Sequence, residues 1–150
     1  RGDPAAMKWM AVKTPYNGSL WTGIALPSGA LLACGMRGNI VRSADDGLTW
    51  QHLPIAGAGS FTGAALLPDG RPLLVGVDGT LVVGDAAGEV FRLQRQDDRA
   101  TLTALVPVSG AKIVAATTAG LRSLHVPPRR SHEKRKAHGP GDDPPVAGCR

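Results

Sequence analysis

A chain of 150 residues with 43% hydrophobic content is long enough to bury one sizeable core. Aromatics make up only 4%, while Gly (20) and Pro (12) exceed a fifth of the chain, which suits many short strands and turns better than long helices. The net charge of +5 is uneven, with 11 Lys+Arg against 9 Asp+Glu in residues 1–126 and 6 against 3 in residues 127–150.

In chain order, Arg1-Gly2-Asp3-Pro4-Ala5-Ala6-Met7 lacks the charged start and apolar stretch of a secretory signal. The Arg-Gly-Asp triplet within it is read as a chance spelling. A strand is predicted over Lys8 to Val12. Four more follow at Trp21 to Leu26, Ala30 to Gly35, Asn39 to Ser43 and Thr49 to Leu53, parted by Pro-Ser-Gly, Met-Arg-Gly and Ala-Asp-Asp-Gly-Leu turns. The next group is Phe61 to Leu67, Pro72 to Val77, Thr80 to Gly84 and Val90 to Gln94; Pro72 is tolerated as the first residue of its strand. Leu102 to Val106, Lys112 to Ala116 and Leu121 to His125 form a third group. No apolar run reaches the 18 residues of a membrane-spanning helix. Residues 127–150, with Pro127-Pro128-Arg129-Arg130 and Lys134-Arg135-Lys136, lack apolar periodicity and are predicted to be a disordered, basic, Pro-rich tail.

The groups are copies of one unit. Trp9, Trp50 and Phe91 recur at intervals of 41 residues, as do Gly38, Gly79 and Gly120. Leu26-Pro27-Ser28-Gly29 aligns with Leu67-Pro68-Asp69-Gly70, and Val106 to Thr117 gives a third copy with a small gap. The triplets Trp21-Thr22-Gly23, Phe61-Thr62-Gly63 and Leu102-Thr103-Ala104 open the units.

A four-stranded meander repeating at about 40 residues is the signature of a β-propeller blade, and about 4 to 8 blades close a ring. Residues 1–126 are therefore expected to be all-β: a partial first blade, two full blades and a partial last blade of a larger propeller. In a closed ring the last blade takes its fourth strand from near the N-terminus. Without further units in the protein, a small β-sandwich or a domain assembled by oligomerisation is preferred, and unpaired sheet edges predict self-association. Trp9, Trp50 and Phe91, with Trp21 and Phe61, are expected to fill the space between sheets.

Ser43-Ala44-Asp45-Asp46-Gly47-Leu48-Thr49-Trp50 is the most specific stretch. Asp45 is placed to accept backbone N–H bonds in a tight loop, Ser43 to do so more weakly, and Gly47 to supply a positive φ. The pattern holds a hairpin in shape. Its adjacent carboxylates offer too few oxygens for Ca²⁺. The second copy, Gly84-Asp85-Ala86-Ala87-Gly88-Glu89-Val90-Phe91, keeps the glycine and the aromatic but has Ala86 in the place of Asp45. Function is thus expected on loops such as Arg37-Gly38 and Asp78-Gly79, with Arg37, Arg42 and Arg71 as candidate partner-binding cations.

These residues carry a resemblance. Ser43 to Trp50, with Ser43, Asp45, Gly47, Thr49 and Trp50 in the motif positions, resembles the Asp-box of the bacterial neuraminidase (BNR) repeat of sialidases and other propellers. The lead Gly35-Met36-Arg37-Gly38-Asn39-Ile40-Val41-Arg42 is similar to photosystem II stability/assembly factor-like proteins. The resemblance covers roughly residues 5–126. It implies a non-catalytic helper that binds a protein partner, a membrane-protein complex, and an exported or periplasmic location.

Competing chemistries find less support. A sialidase needs an arginine cluster and a Tyr nucleophile assisted by a carboxylate. The single tyrosine, Tyr16, has no acidic residue within ten positions. His52, His125, His132 and His138 show no zinc spacing, and Cys34 and Cys149, 115 positions apart, show neither metal-ligand spacing nor a convincing disulfide. Asp97-Asp98 reads as a solvated turn. No Gly-rich phosphate loop precedes a helix. The reading is a protein-binding propeller with no cofactor, no metal and no specific nucleic-acid partner, the basic tail being a solvated segment. A glycan-binding or glycan-cleaving propeller is the alternative.

Overall fold

The computed structural model of the chain describes residues 2–3 and 8–126. The tail expected at 127–150, with Cys149, lies outside the described residues.

Two short strands, β1 (Gly2–Asp3) and β2 (Lys8–Trp9), pair with each other, and three antiparallel meanders follow. The first sheet runs β3 (Leu20–Ala25), β4 (Leu31–Gly35), β5 (Asn39–Ser43) and β6 (Gln51–Pro54), with a 3-10 turn at Met36–Gly38 between β4 and β5. The second runs β7 (Phe61–Leu66), β8 (Pro72–Gly76), β9 (Thr80–Gly84) and β10 (Phe91–Arg95). The third has β11 (Leu102–Ser109), β12 (Lys112–Thr117) and β13 (Gly120–His125). The sheets follow one another as successive blades of a β-propeller, with the first strands β3, β7 and β11 in contact.

The period is visible in the backbone itself. Gly38, Gly79 and Gly120 take φ of 72°, 64° and 104°, and Ile55 N donates to Gly38 O at 2.9 Å as Gln96 N donates to Gly79 O at 2.9 Å. A side chain on Gly38 would place a Cβ 2.6 Å from Ile55 O, so both the left-handed backbone and the close approach require glycine.

Two apolar layers join the sheets. Leu26, Leu32, Cys34 and Ile40 pack with Phe61, Leu74 and Val82, and Leu67, Leu73, Val75 and Leu81 pack with Leu102, Ile113 and Ala115. The second sheet is thus covered on both faces, and every residue of β8 and β9 is buried. That explains why Pro72-Leu73-Leu74-Val75-Gly76 and Thr80-Leu81-Val82-Val83-Gly84 do not alternate apolar with polar residues. Polar contacts also cross between sheets. Arg42 Nε donates to Ala87 O at 2.9 Å and its guanidinium pairs with Glu89 at 3.3 Å, while Thr62 Oγ1 donates to Leu102 O.

Several sequence expectations are corrected. The strand at Lys8 to Val12 is only Lys8–Trp9, and it pairs with Gly2–Asp3 rather than completing the third sheet. Having no blade to enter, Trp9 is 86% exposed instead of buried. Trp21 is also exposed. The register places Leu20, Phe61 and Leu102 in one column, opposite Gly35, Gly76 and Thr117, and leaves Trp21 at the irregularity that follows, in the column of Thr62 and Thr103. Phe61 is fully buried, as expected, and Phe91 is half-buried against the first apolar layer. Trp50 is half-buried too, but it lies over its own turn, where its indole N–H finds a carbonyl.

Candidate functional site

Antiparallel meanders place the loops at two ends. The turns after first strands and after third strands share one end. The turns after second strands and the connections between sheets share the other.

The first end holds Ser43 to Trp50. Asp46 and Gly47 are both left-handed, at φ of 55° and 81°, which folds the loop back on itself. Ser43, buried, donates to Asp45 Oδ1 at 2.8 Å and accepts from Gly47 N at 2.9 Å. Asp45 accepts Thr49 N at 2.8 Å and Thr49 Oγ1 at 2.6 Å, and Trp50 Nε1 donates to Gly47 O at 3.1 Å. The Thr49 hydroxyl, then the Thr49 N–H and the Ser43 hydroxyl, hold the Asp45 carboxyl down at about 2. Its lone pairs are committed to the loop, which makes it a structural group and a poor proton carrier.

The second copy reaches the same end by a shifted route. Asp85, one position before the expected column, accepts Glu89 N at 2.8 Å and Val90 N at 3.2 Å. Sequence reasoning fixed on Ala86 and missed it. The available signal was an aspartate next to the vacated position, still able to reach the N–H groups that precede Phe91.

The opposite end is richer in exposed charge. Arg37 stands in the turn Met36–Gly38 at φ 54°, exposed, its backbone N bonded to Ser60 Oγ at 3.1 Å. Its guanidinium has no carboxylate partner among the described residues. Asp78 occupies the same place in the second sheet, at φ 57°, and is flanked by Arg95 and by Arg99 at 3.2 Å. Desolvation opposes ionisation of Asp78, but the two guanidiniums prevail and hold its carboxyl below the ordinary value. Arg95 also donates to Gly57 O, and Arg122 pairs with Asp98. Beside Arg37, Asn39 Nδ2 donates to Met36 O at 2.7 Å, Asn39 Oδ1 accepts from His52 Nε2 at 2.7 Å, and His52 stacks on Tyr16 with centroids 5.5 Å apart.

The three candidate arginines do not form one patch. Arg42 is spent on Ala87 and Glu89 across the first interface. Arg71 pairs with Asp69 at 2.7 Å beside a groove lined by Leu67, Pro68, Gly110 and Val126. Arg37 alone of the three presents its charge outward. Tyr16 donates its hydroxyl to Met36 O at 3.3 Å, and no carboxylate bonds it among the described residues. No three His, Cys, Asp or Glu side chains converge among the described residues, and no helix there is long and apolar enough to cross a membrane.

No family model matches the chain, and no curated protein matches it. Among solved structures, it is similar to YCF48 bound to D1 peptide, with a TM-score of 0.62 and 16% sequence identity, over 75% of this chain and 39% of that one. The chain thus spans 39% of the length of that chain, and the likeness is one of fold, an all-β propeller.

Proposed function

We propose that the chain is a non-catalytic protein-interaction propeller, of the kind that assists the assembly of a membrane-protein complex, and that it meets its partner at the end of the blades bearing Arg37. The observation that carries this reading is the contrast among the cations: Arg42 and Arg71 are held in ion pairs, whereas Arg37 projects from a rigid left-handed turn with its charge unspent. A cation with no internal partner to give up attracts acidic segments. The Asp-box-like turn at Ser43 to Trp50 and its Asp85 counterpart lie at the other end, where Ser43, Asp45 and Asp85 bond to their own loops and Ala87 and Glu89 bond Arg42 across the first interface. The fold shared with YCF48 bound to D1 peptide supports a protein partner.

The test is a fluorescence-anisotropy titration of labelled D1 peptide with the purified protein, run beside an assay with a fluorogenic sialoside. Saturable peptide binding with no sialoside turnover is expected. Turnover above the blank, or a flat titration, would overturn the proposal.

A further inference from the structure

The first two blades hold the same left-handed turn in two different ways. Arg37 and Asp78, 41 residues apart, take φ of 54° and 57°, a backbone that is costly for a residue with a side chain and persists only where the surroundings hold it. In the second blade the side chain of Asp78 does the holding: it pairs with Arg95 and with Arg99 at 3.2 Å, and Arg95 bonds Gly57 O as well. In the first blade the guanidinium of Arg37 has no carboxylate partner among the described residues, and the turn is gripped by its carbonyls instead. Asn39 Nδ2 donates to Met36 O at 2.7 Å and to Arg37 O at 3.4 Å, and the Tyr16 hydroxyl donates to Met36 O at 3.3 Å.

Those two side chains are themselves braced. With Nδ2 spent on the carbonyls, Asn39 presents Oδ1 to His52 Nε2 at 2.7 Å, so Nε2 carries the hydrogen. The His52 ring stacks on Tyr16 with centroids 5.5 Å and planes 24° apart, and Thr14 Oγ1 bonds Tyr16 O at 2.9 Å. In the second blade the counterparts of Tyr16, Asn39 and His52 are Gly57, Thr80 and Leu93. Leu93 lies 3.6 Å from the place where a side chain on Gly57 would begin, so the meeting of connection and fourth strand belongs to both blades. Of the two, the first alone builds it from polar groups. Thr80 is buried, accepts Gly59 N at 3.0 Å and leaves the turn to Asp78.

We propose that Tyr16, Asn39 and His52 are positioning residues for Arg37: they hold its turn by the backbone, which leaves the guanidinium outward and unpaired for an acidic residue of the partner. This rests on the reading of Arg37 as the binding cation. A cation held as Asp78 is held would be consumed by its own support. The strut of Tyr16, His52 and Asn39 removes that conflict, because every bond it makes to the turn ends on Met36 O or Arg37 O. From the other side Arg37 N bonds Ser60 Oγ at 3.1 Å, so the backbone is fixed on both flanks and the side chain is left out of the support.

The test uses the whole 150-residue chain, labelled for amide hydrogen exchange by NMR. The amide at position 39 donates to Met36 O and reports on the turn. Its protection is expected to fall about fivefold in Asn39→Ala, the worth of one net hydrogen bond, while protection in β8 and β9 is kept. His52→Leu, the exchange that the second blade makes in this column, is expected to lower it in the same direction. In an Arg37→Gly background, where glycine takes the left-handed backbone unaided, Asn39→Ala is expected to change protection far less. In an anisotropy titration of labelled D1 peptide, Asn39→Ala is expected to bind about fivefold more weakly than the natural chain, with no further loss once Arg37→Ala is made, since Asn39 acts through Arg37. The proposal is overturned by natural protection in both Asn39→Ala and His52→Leu, by an equal loss of protection in the Arg37→Gly background, or by affinity losses that add. The exchange measurement reads the strut with no partner present, so a flat titration of the natural chain is a failure of the binding reading and not of the strut.

Discussion

Asp85 caps the second blade's turn from one position earlier than Asp45 caps the first: Asp85 Oδ1 accepts Val90 N at 3.2 Å where Asp45 Oδ1 accepts Thr49 N at 2.8 Å. The two N–H groups occupy the same column, immediately before Phe91 and Trp50. What the repeat keeps is an acceptor for that N–H, and an aspartate can supply it from either of two neighbouring positions. Asp85→Ala is therefore expected to cost about 1 kcal/mol in a urea melt, the usual net worth of such bonds, and Asp85→Asn, which keeps an acceptor oxygen, to restore most of it. An unchanged midpoint in Asp85→Ala would show that the loop closes without the carboxylate.

The first turn adds a buried hydroxyl to the same scheme. Ser43 is 1% exposed and bonded to both Asp45 and Gly47. Ser43→Ala leaves Gly47 N without its acceptor and is expected to cost about 1–3 kcal/mol in the same measurement.

Acid should loosen this turn within a defined window. The Asp45 carboxyl is lowered in the folded protein to about 2 from an ordinary value of 3.8, so the folded state favours the ionised form. Its contribution to stability is fully present above the ordinary value and is lost as pH falls through the folded one. Melting temperatures measured between about pH 5 and pH 2 are expected to fall more steeply for the natural chain than for Asp45→Asn. Parallel curves would contradict the assignment.

The middle sheet is expected to dominate stability. Leu74 is fully buried between the first two sheets, and Leu74→Ala should cost about 2–5 kcal/mol through lost burial and the cavity left behind. Leu48, 64% exposed on the first turn, should tolerate alanine within about 0.5 kcal/mol. Equilibrium unfolding of the two variants side by side checks the contrast.

Burial should also silence one thiol. Cys34 lies within the first apolar layer, and burial pushes its thiol up to about 12, so little thiolate exists at neutral pH. Peptide mapping after maleimide treatment is expected to find Cys34 unmodified in the folded protein and modified in denaturant.

The repeat made most of this fold legible. Strand positions, turns and the left-handed glycines follow from residues recurring at 41, because each blade must present the same turn and the same buried columns to its neighbours. The columns themselves were harder to assign. Aligning Trp21 with Phe61 by their aromatic character put Trp21 in the core, whereas the 41-residue period matches Phe61 to Leu20 and leaves Trp21 one place on, in the column of Thr62 and Thr103, where it emerges. Trp9 held the right phase but lacked a sheet to pack in, since periodicity states where a side chain belongs within a blade and says nothing about whether the blade is present. The charged end was the least legible part. Arg37, Arg42 and Arg71 look alike in sequence, and only the positions of Glu89 and Asp69 separate two structural arginines from one that faces outward.

The central claim is a division of labour between the two ends of the blades, with Arg37 at the binding end and Asp45 at the structural one. One titration of labelled D1 peptide against Arg37→Glu and Asp45→Asn tests it most directly. The account predicts at least about a tenfold weaker affinity for Arg37→Glu, equivalent to 1.4 kcal/mol, with an unaltered melting temperature. It predicts natural affinity for Asp45→Asn below its lowered melting temperature. Equal affinity for Arg37→Glu and the natural chain, or loss of binding in folded Asp45→Asn, would contradict it.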